Sequence, residues 1–495
     1  MFATAMPLAA AKAITGPWPA AFPAKEHCSN CGLCRSKCGV ASVTEACAFI
    51  GDGMSRAEAL EPIVHGRGRA YDAEALDEAH FGVHDTILLA TGFQAGAQWT
   101  GVATGVALAW LEAGRCDAVV VAGSDGDSGG FGSPKPILCR SPEEVLQGRR
   151  VKPSLCPSLE VLDEIKADDS IRRLLFCGVG CAVQALRALG GASPERVLGL
   201  EPDGLRVLGT HCVDNSPTPD AAREFVASVP GVGEERADDV IAYEFMADFR
   251  VHARLRAQTG EETVKAAYMT LPPSIGIPSI APSCFACFDY TNALADLVVG
   301  YMGAPFDGDR DEMTNAPLMV TVRSGKGREM LDQATRAGRV KVLMDGGHGG
   351  RKLPSAGDRR AVTLKTVQAD SMVRSLTEKD FRAGDRGAPP LVGNLLARLI
   401  SQMLPKGMEF ARYSIDYHFL RNALYVESRF GEKRAATHIP RFAIALMERY
   451  QAQMAPIRAP QHARQRESRL PWRGVLGAVG EALFLTRGAA AGTED

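Results

Sequence analysis

The stretch CSNCGLCRSKCGV, Cys28 to Val40, sets four thiols at C-x2-C-x2-C-x3-C spacing, and Cys47 follows nine residues later in TEACAFIG. Three thiolates from one tight loop can take three corners of a 4Fe-4S cubane. The fourth corner is open between Cys38 and Cys47. In ferredoxin-type runs the last thiolate usually serves another cluster, because the three-residue spacer carries it away, and this favours Cys47. Cys47 also begins the apolar turn CAFI, which can fold over a cluster and exclude water.

A second set of thiols comprises Cys181, Cys212, Cys284 and Cys287, with Cys177 as a substitute for Cys181. Two follow expected strands and two share a C-x2-C turn, a plan that can bring four sulfurs to one place. Zinc is the competing occupant, since it also takes four thiolates. Zinc sites usually pair one C-x2-C with another, whereas three thiols within seven residues is the cubane's pattern. Cys116, Cys139 and Cys156 stand alone and read as core thiols.

The elements that must hold these loops alternate. GAQWTGVATGVALAWLEAG has helical spacing and stops at Gly114, and CDAVVVAGSDG reads as a buried strand. SLEVLDEIKA, IRRLLFCGVG, CAVQALRAL and LRVLGTHC continue as helix, strand, helix, strand. The expected fold is therefore α/β, with a mostly parallel sheet as core, an N-terminal iron–sulfur module and a helix-rich C-terminal part. Loops after the carboxyl ends of such strands form the ligand crevice, where Ser124, Cys177, Cys181 and Cys212 would lie. Residues 251–280 read as irregular, MVTVRSGKGREML as a strand and helix, and MDGGHGGRKLPSAGDRR as a loop. Expected divisions are 1–90 (extension and first cluster), 91–170, 171–345 (second cluster), 346–455 (helix-rich) and 456–495 (tail). The first 27 or so residues read as an extension that docks late or stays loose.

With 56 basic against 58 acidic residues, a net charge of -2 demands no nucleic-acid partner. Thirteen cysteines and no secretory leader point to a reducing, cytoplasmic setting in which thiols bind metal. No run of 18 apolar residues appears, so no membrane span is expected.

The blocks CSNCGLC, EACAFIGDGMSR, EPIVHGRGR, FGVHD, GAQWTGVATG, LLFCGVGCAVQAL, CVDN, APSCFACFDYTNALADLVVGYMG and PKGMEFARYSIDYH carry a family likeness. Together they resemble the ferredoxin-dependent divinyl chlorophyllide 8-vinyl reductases, whose relatives are 7-hydroxymethyl chlorophyll a reductase and the beta subunit of deazaflavin-reducing hydrogenases. The likeness runs over about residues 26 to 450. It implies FAD, two 4Fe-4S clusters, reduced ferredoxin as electron donor and a divinyl chlorophyllide-type pigment as substrate. It further implies Cys28, Cys31, Cys34 and Cys47 for the first cluster and Cys181, Cys212, Cys284 and Cys287 for the second. The chain departs from the family at Cys38, at Ala182, where Gln is usual, and in its tail after about Pro456.

Flavin contacts are expected from Gln98, Thr100, Gly101, Ser124, Asp296, Gly300 and Arg323, with glycine allowing close approach and arginine suiting a pyrophosphate. No G-x-G-x-x-G occurs, so no dinucleotide fingerprint supports them. Proton donors are sought among His65, His84, Asp289, Tyr290 and His418. In the tail, Trp472, Val475, Leu476, Val479 and Leu483 share a helical face, which suits peripheral contact with a photosynthetic membrane, or packing on the chain itself or a second copy in a homo-oligomer. Two other functions compete: reduction of a pigment 7-hydroxymethyl group, and a non-catalytic electron carrier or zinc-held assembly subunit.

Overall fold

The computed structural model describes residues 12–70, 76–124, 132–258, 260–308, 310–345, 359–378 and 381–458. The strands are β1 (Thr86–Gly92), β2 (Ala118–Ser124), β3 (Pro134–Cys139), β4 (Leu174–Gly178), β5 (Leu205–Thr210), β6 (Val240–Phe245), β7 (Arg250–Ala257), β8 (Gly260–Ala267), β9 (Leu297–Gly300), β10 (Leu318–Val322) and β11 (Val340–Asp345). Eight of them form one sheet in the order β11-β1-β10-β9-β5-β4-β2-β3. β2, β4, β5 and β9 are parallel neighbours. β1 points the same way, being antiparallel to β10, itself antiparallel to β9. β3, β10 and β11 are reversed, so the sheet is mixed, with most strands running in one direction.

The parallel strands are continuous apolar runs because both faces are covered. Along β4, Leu174 and Phe176 enter one core with the helix Gly180–Arg187, while Leu175 faces the opposite core with the helix Val102–Glu112. The N-terminal segment belongs to the first core: Phe22, Leu33 and Val43 are buried in it, and Ile14 N donates to Cys34 O at 2.7 Å. From residue 12 onward, then, the expected loose extension is packed.

A second sheet, β6-β7-β8, occupies the region expected to be irregular. Val251, Ala253 and Leu255 alternate into its core, a period of two diluted in the sequence by the intervening His252 and Arg254. Helices Pro390–Met403, Met408–Phe430, Glu432–His438 and Arg441–Glu448 make up the helical C-terminal part. The long helix Met408–Phe430 buries Ile415, Phe419 and Ala423 against Phe49, Phe285 and Phe288, and so roofs the thiol-bearing loops. No helix among the described residues is long and apolar enough to cross a membrane. The expected glycine-rich loop from residue 346 to 358 and the tail face of Trp472 to Leu483 lie outside the described residues.

Candidate functional site

The first thiol loop is built on a backbone that tolerates no side chain at Gly32. There φ is +93°, and a Cβ would lie 2.7 Å from Glu160 N. This turn leads into the 3-10 segment Leu33–Arg35, which carries Cys34. Burial pushes the Cys34 thiol up to about 12, and the thiols of Cys47 and Cys28 add to the shift. Burial raises Cys31 well above the usual thiol range, with Cys47, Cys181 and Cys28 near enough to contribute. Cys28, Cys31, Cys34 and Cys47 thus share one neighbourhood. Cys38 does not join it: its sulfur pairs with Ser36 Oγ at 3.2 Å and its N–H donates to Asp163 Oδ1 at 2.9 Å.

The second group sits where parallel-sheet topology places it. Cys181 lies in the first turn of the helix after β4, and Cys212 follows β5. Cys284 and Cys287 come from the turn at Pro282–Phe285, held from above by Asn422 Nδ2, which donates to Cys284 O at 3.1 Å and Cys287 O at 2.7 Å. All four line one small cavity together with Phe49 and Asp289. Burial lifts the Cys181 thiol to about 11 and the Cys284 thiol to about 12. Protonated thiols are the comfortable state of such a site in the absence of positive charge, and iron would supply that charge. Among the described residues, no three His, Cys, Asp or Glu side chains are arranged to hold a single ion. The four thiols share the lining of that one small cavity. Cys177 is not among them and lines a larger cavity on the other side of β4.

The two thiol groups adjoin. Ser29, next to Cys28, hydrogen-bonds Cys181, and the Cys31 thiol lies within electrostatic reach of Cys181. Cys181 and Cys212 also line the wall of a cavity of about 750 Å³. First thiols, second thiols and cavity therefore form one continuous series.

That cavity holds some of the expected cofactor contacts and not others. Gln98, Gly101 and Gly300 line it. Gly101 has φ +80°, and a Cβ there would meet Gln94 Cβ at 2.5 Å, so its role is the turn before the helix Val102–Glu112. Thr100 closes the same turn, its Oγ1 accepting from Gly92 N at 2.9 Å. Arg323 is committed elsewhere: its guanidinium donates to Phe81 O (2.8 Å), Val83 O (2.7 Å) and Thr291 O (2.7 Å), bolting loops together rather than facing a pyrophosphate. Asp296 is fully buried, pairing with Arg187 at 2.9 Å and accepting from Val207 N at 2.7 Å, and is likewise structural. Ser124 ends β2 outside the cavity lining.

Of the proton-donor candidates, Tyr290 and His418 line both cavities, and their rings meet edge to face at 5.2 Å. His418 Nδ1 is anchored on Ser414 O at 2.6 Å, which turns Nε2 toward Asp214 Oδ2 at 3.6 Å. Burial raises Tyr290, keeping it a phenol. Asp289 faces only the small cavity, where burial raises its carboxyl and Oδ2 has no partner. His65 and His84 line neither cavity. Their ring nitrogens bond Ala293 O and Gly82 O, each at 2.8 Å, and burial lowers His65 to about 4.

Sequence reasoning missed His211 and Glu244. His211 lines the large cavity with both ring nitrogens buried and unpartnered, and burial lowers it to about 3, so it stays neutral. Gly300 is its cradle, since a Cβ at that position would lie 1.9 Å from His211 Nδ1. A neutral imidazole with a free donor and acceptor fits the edge of a flavin ring. Gly300→Ala is expected to collide with the His211 ring and cost about 1–3 kcal/mol of stability, read by chemical denaturation. Glu244 accepts from Gln98 Nε2 at 3.1 Å and Trp99 Nε1 at 3.4 Å, and burial raises it to about 7. The motif YEF pointed to no role for it, because its burial arises only when the second sheet closes over the crevice.

The family described as Coenzyme F420 hydrogenase/dehydrogenase, beta subunit N-term matches residues 89–163, and the corresponding C-terminus family matches residues 171–344. The chain is 44% identical over 432 residues to 7-hydroxymethyl chlorophyll a reductase, chloroplastic, of Oryza sativa subsp. japonica, covering 87% of this chain and 83% of that one. It is 38% identical to an uncharacterised protein of Nostoc sp., over 86% of this chain and 94% of the other. Among solved structures, a chain of the F420-reducing nickel–iron hydrogenase complex of Methanosarcina barkeri matches with TM-score 0.43 and 22% identity, over 53% of this chain and 83% of that chain.

Proposed function

The chain belongs to the family of 7-hydroxymethyl chlorophyll a reductase and F420 hydrogenase beta-subunit-like proteins, and from this membership we propose that it is an oxidoreductase reducing a chlorophyll-type pigment. More specifically, it reduces the 8-vinyl group of a divinyl (proto)chlorophyllide to ethyl, using electrons from reduced ferredoxin, in (bacterio)chlorophyll synthesis. The observation that carries the proposal is the unbroken series of Cys28, Cys31, Cys34 and Cys47, then Cys181, Cys212, Cys284 and Cys287, then the large cavity. Such a series suits a donor that delivers one electron at a time to a reaction that needs two.

In this reading the eight thiols would hold two 4Fe-4S clusters, and His211, with the other residues lining the large cavity, would hold FAD. When bound, the clusters relay single electrons and the flavin pairs them for two-electron transfer. The protein's own residues orient, dehydrate and protonate. Phe49, Phe285 and Phe288 keep water from the sulfurs. His211 offers its ring nitrogens to the flavin edge, and Trp99 stacks on Tyr301 at 4.7 Å to stiffen the opposite wall. His418 and Tyr290 stand where the cavities meet and supply a proton. Converting vinyl to ethyl consumes two electrons and two protons, adding one hydrogen to each vinyl carbon.

A second reading, reduction of a 7-hydroxymethyl group to methyl with loss of water, is favoured by the 44% identity to the rice reductase. It draws on the same two electrons and two protons, and ring positions 7 and 8 are neighbours, so one pose can serve either. The test is anaerobic incubation of iron-loaded protein with reduced ferredoxin and either divinyl chlorophyllide a or 7-hydroxymethyl chlorophyll a, followed by chromatography. Ethyl product from the first pigment is expected, and turnover of the second alone would replace the 8-vinyl assignment. His418→Gln is expected to lower kcat about 100-fold while pigment binding is retained.

A further inference from the structure

The large cavity has two unlike walls. One comes from the region matched by the hydrogenase families, ending at residue 344. The other comes from the C-terminal helices, which lie beyond that match. On the helix Arg359–Ala369, Val362, Lys365, Thr366 and Ala369 all line the cavity, at the spacing of a single helical face. Thr366 Oγ1 bonds Tyr413 OH at 3.0 Å, which fixes this face on the long helix. The region before residue 344 contributes an aromatic cluster to the lining, in which the Tyr268 ring lies 5.4 Å from Phe245 and 4.8 Å from Phe249, tilted by 57° and 44°.

Among the described residues, the charged side chains around the cavity are ion-paired or hydrogen-bonded, with one exception. Arg150 pairs with Glu261 at 3.1 Å, and Lys152 Nζ is held by the carbonyls of Arg149 (2.7 Å) and Arg150 (3.3 Å). Arg421 makes a two-pronged pair with Asp214 at 2.7 Å. Asp370 accepts from Tyr417 OH and from Met372 N. Lys365 is the cation of this lining with no hydrogen bond or ion pair among the described residues. A half-buried ammonium in the same cavity as a cluster of aromatic rings suits a polycyclic ligand bearing one carboxylate.

We propose that Lys365 pairs with the side-chain carboxylate of a free-acid chlorin packed against the Phe245, Tyr268 and Phe249 rings, so that this site prefers chlorophyllides to their esters. The inference rests on the pigment-reductase reading and adds a selectivity to it. It also bears on the choice of substrate, because a phytylated chlorophyll lacks that carboxylate.

The test titrates the holoenzyme, without reductant, with chlorophyllide a and with chlorophyllide a methyl ester, following the pigment absorbance. Wild type is expected to bind the acid about tenfold more tightly than the ester. Lys365→Met is expected to lose that preference with ester affinity unchanged, and Lys365→Arg to keep it. Equal binding of acid and ester by wild type, or equal weakening of both by Lys365→Met, overturns the carboxylate pairing while leaving the pigment reading in place. Failure of wild type to bind either pigment overturns both.

Discussion

Cys47→Ser is expected to cost the purified protein about half its iron and all pigment reduction, whereas Cys38→Ser keeps both. The two thiols differ by nine positions and are chemically alike, so the contrast rests on geometry. Cys47 follows the one-turn helix Val43–Ala46, its N–H donating to Val43 O at 3.0 Å, and its sulfur faces Cys28, Cys31 and Cys34. Cys38 is tied to Ser36 and Asp163 on the far side of the loop. A serine oxygen is a poor ligand for iron that prefers thiolate, and three sulfurs leave one corner exposed to solvent. Iron analysis and the visible charge-transfer absorbance, measured anaerobically on both variants, check the result. Loss of iron from Cys38→Ser with none from Cys47→Ser would reverse the ligand assignment.

The second large effect is on stability. Arg421 is 1% exposed, holds Asp214 through two hydrogen bonds of 2.7 Å, and lies 5.0 Å above the Phe285 ring. Arg421→Met would leave the Asp214 carboxylate buried without its partner, a loss of about 3–5 kcal/mol. Asp214 follows Cys212 by two residues, so the same change is expected to loosen the second thiol group. Burial by itself would raise the Asp214 carboxyl, but Arg421 overrides it and holds the group far below the ordinary carboxylate range. A folded-state value below the unfolded one means that the pair's contribution is fully present above the unfolded carboxylate value, near pH 4, and fades as pH falls below it. Chemical denaturation at pH 7 should therefore separate wild type from Arg421→Met by the full amount, with the gap narrowing toward acid pH. A constant gap down to pH 2 would show that packing, not the ion pair, is lost.

Much of this was legible along the chain. The buried runs of β2, β4 and β5 and the helices Val102–Glu112, Leu162–Ala167 and Gly180–Arg187 are local patterns, and each is answered in the structure. The roles of Arg323, Asp296 and Thr100 were not, because whether an arginine meets a ligand or three carbonyls depends on loops far away in sequence: Phe81 lies 242 residues from Arg323. His211 escaped notice for the same reason. It is an ordinary residue between a strand and a cysteine until Gly300 on β9, a parallel neighbour of β5, opens room for its ring.

By itself the sequence determined which sulfurs exist, how they are spaced and that apolar strands alternate with helices, since these depend on neighbours within a turn or two. The tertiary structure keeps Cys47 rather than Cys38 beside the other three thiols, as spacing had favoured, and it alone decided that both groups adjoin one cavity and that C-terminal helices close it. Those outcomes are set by packing between segments hundreds of residues apart, where the burial of one side chain fixes the space left to another.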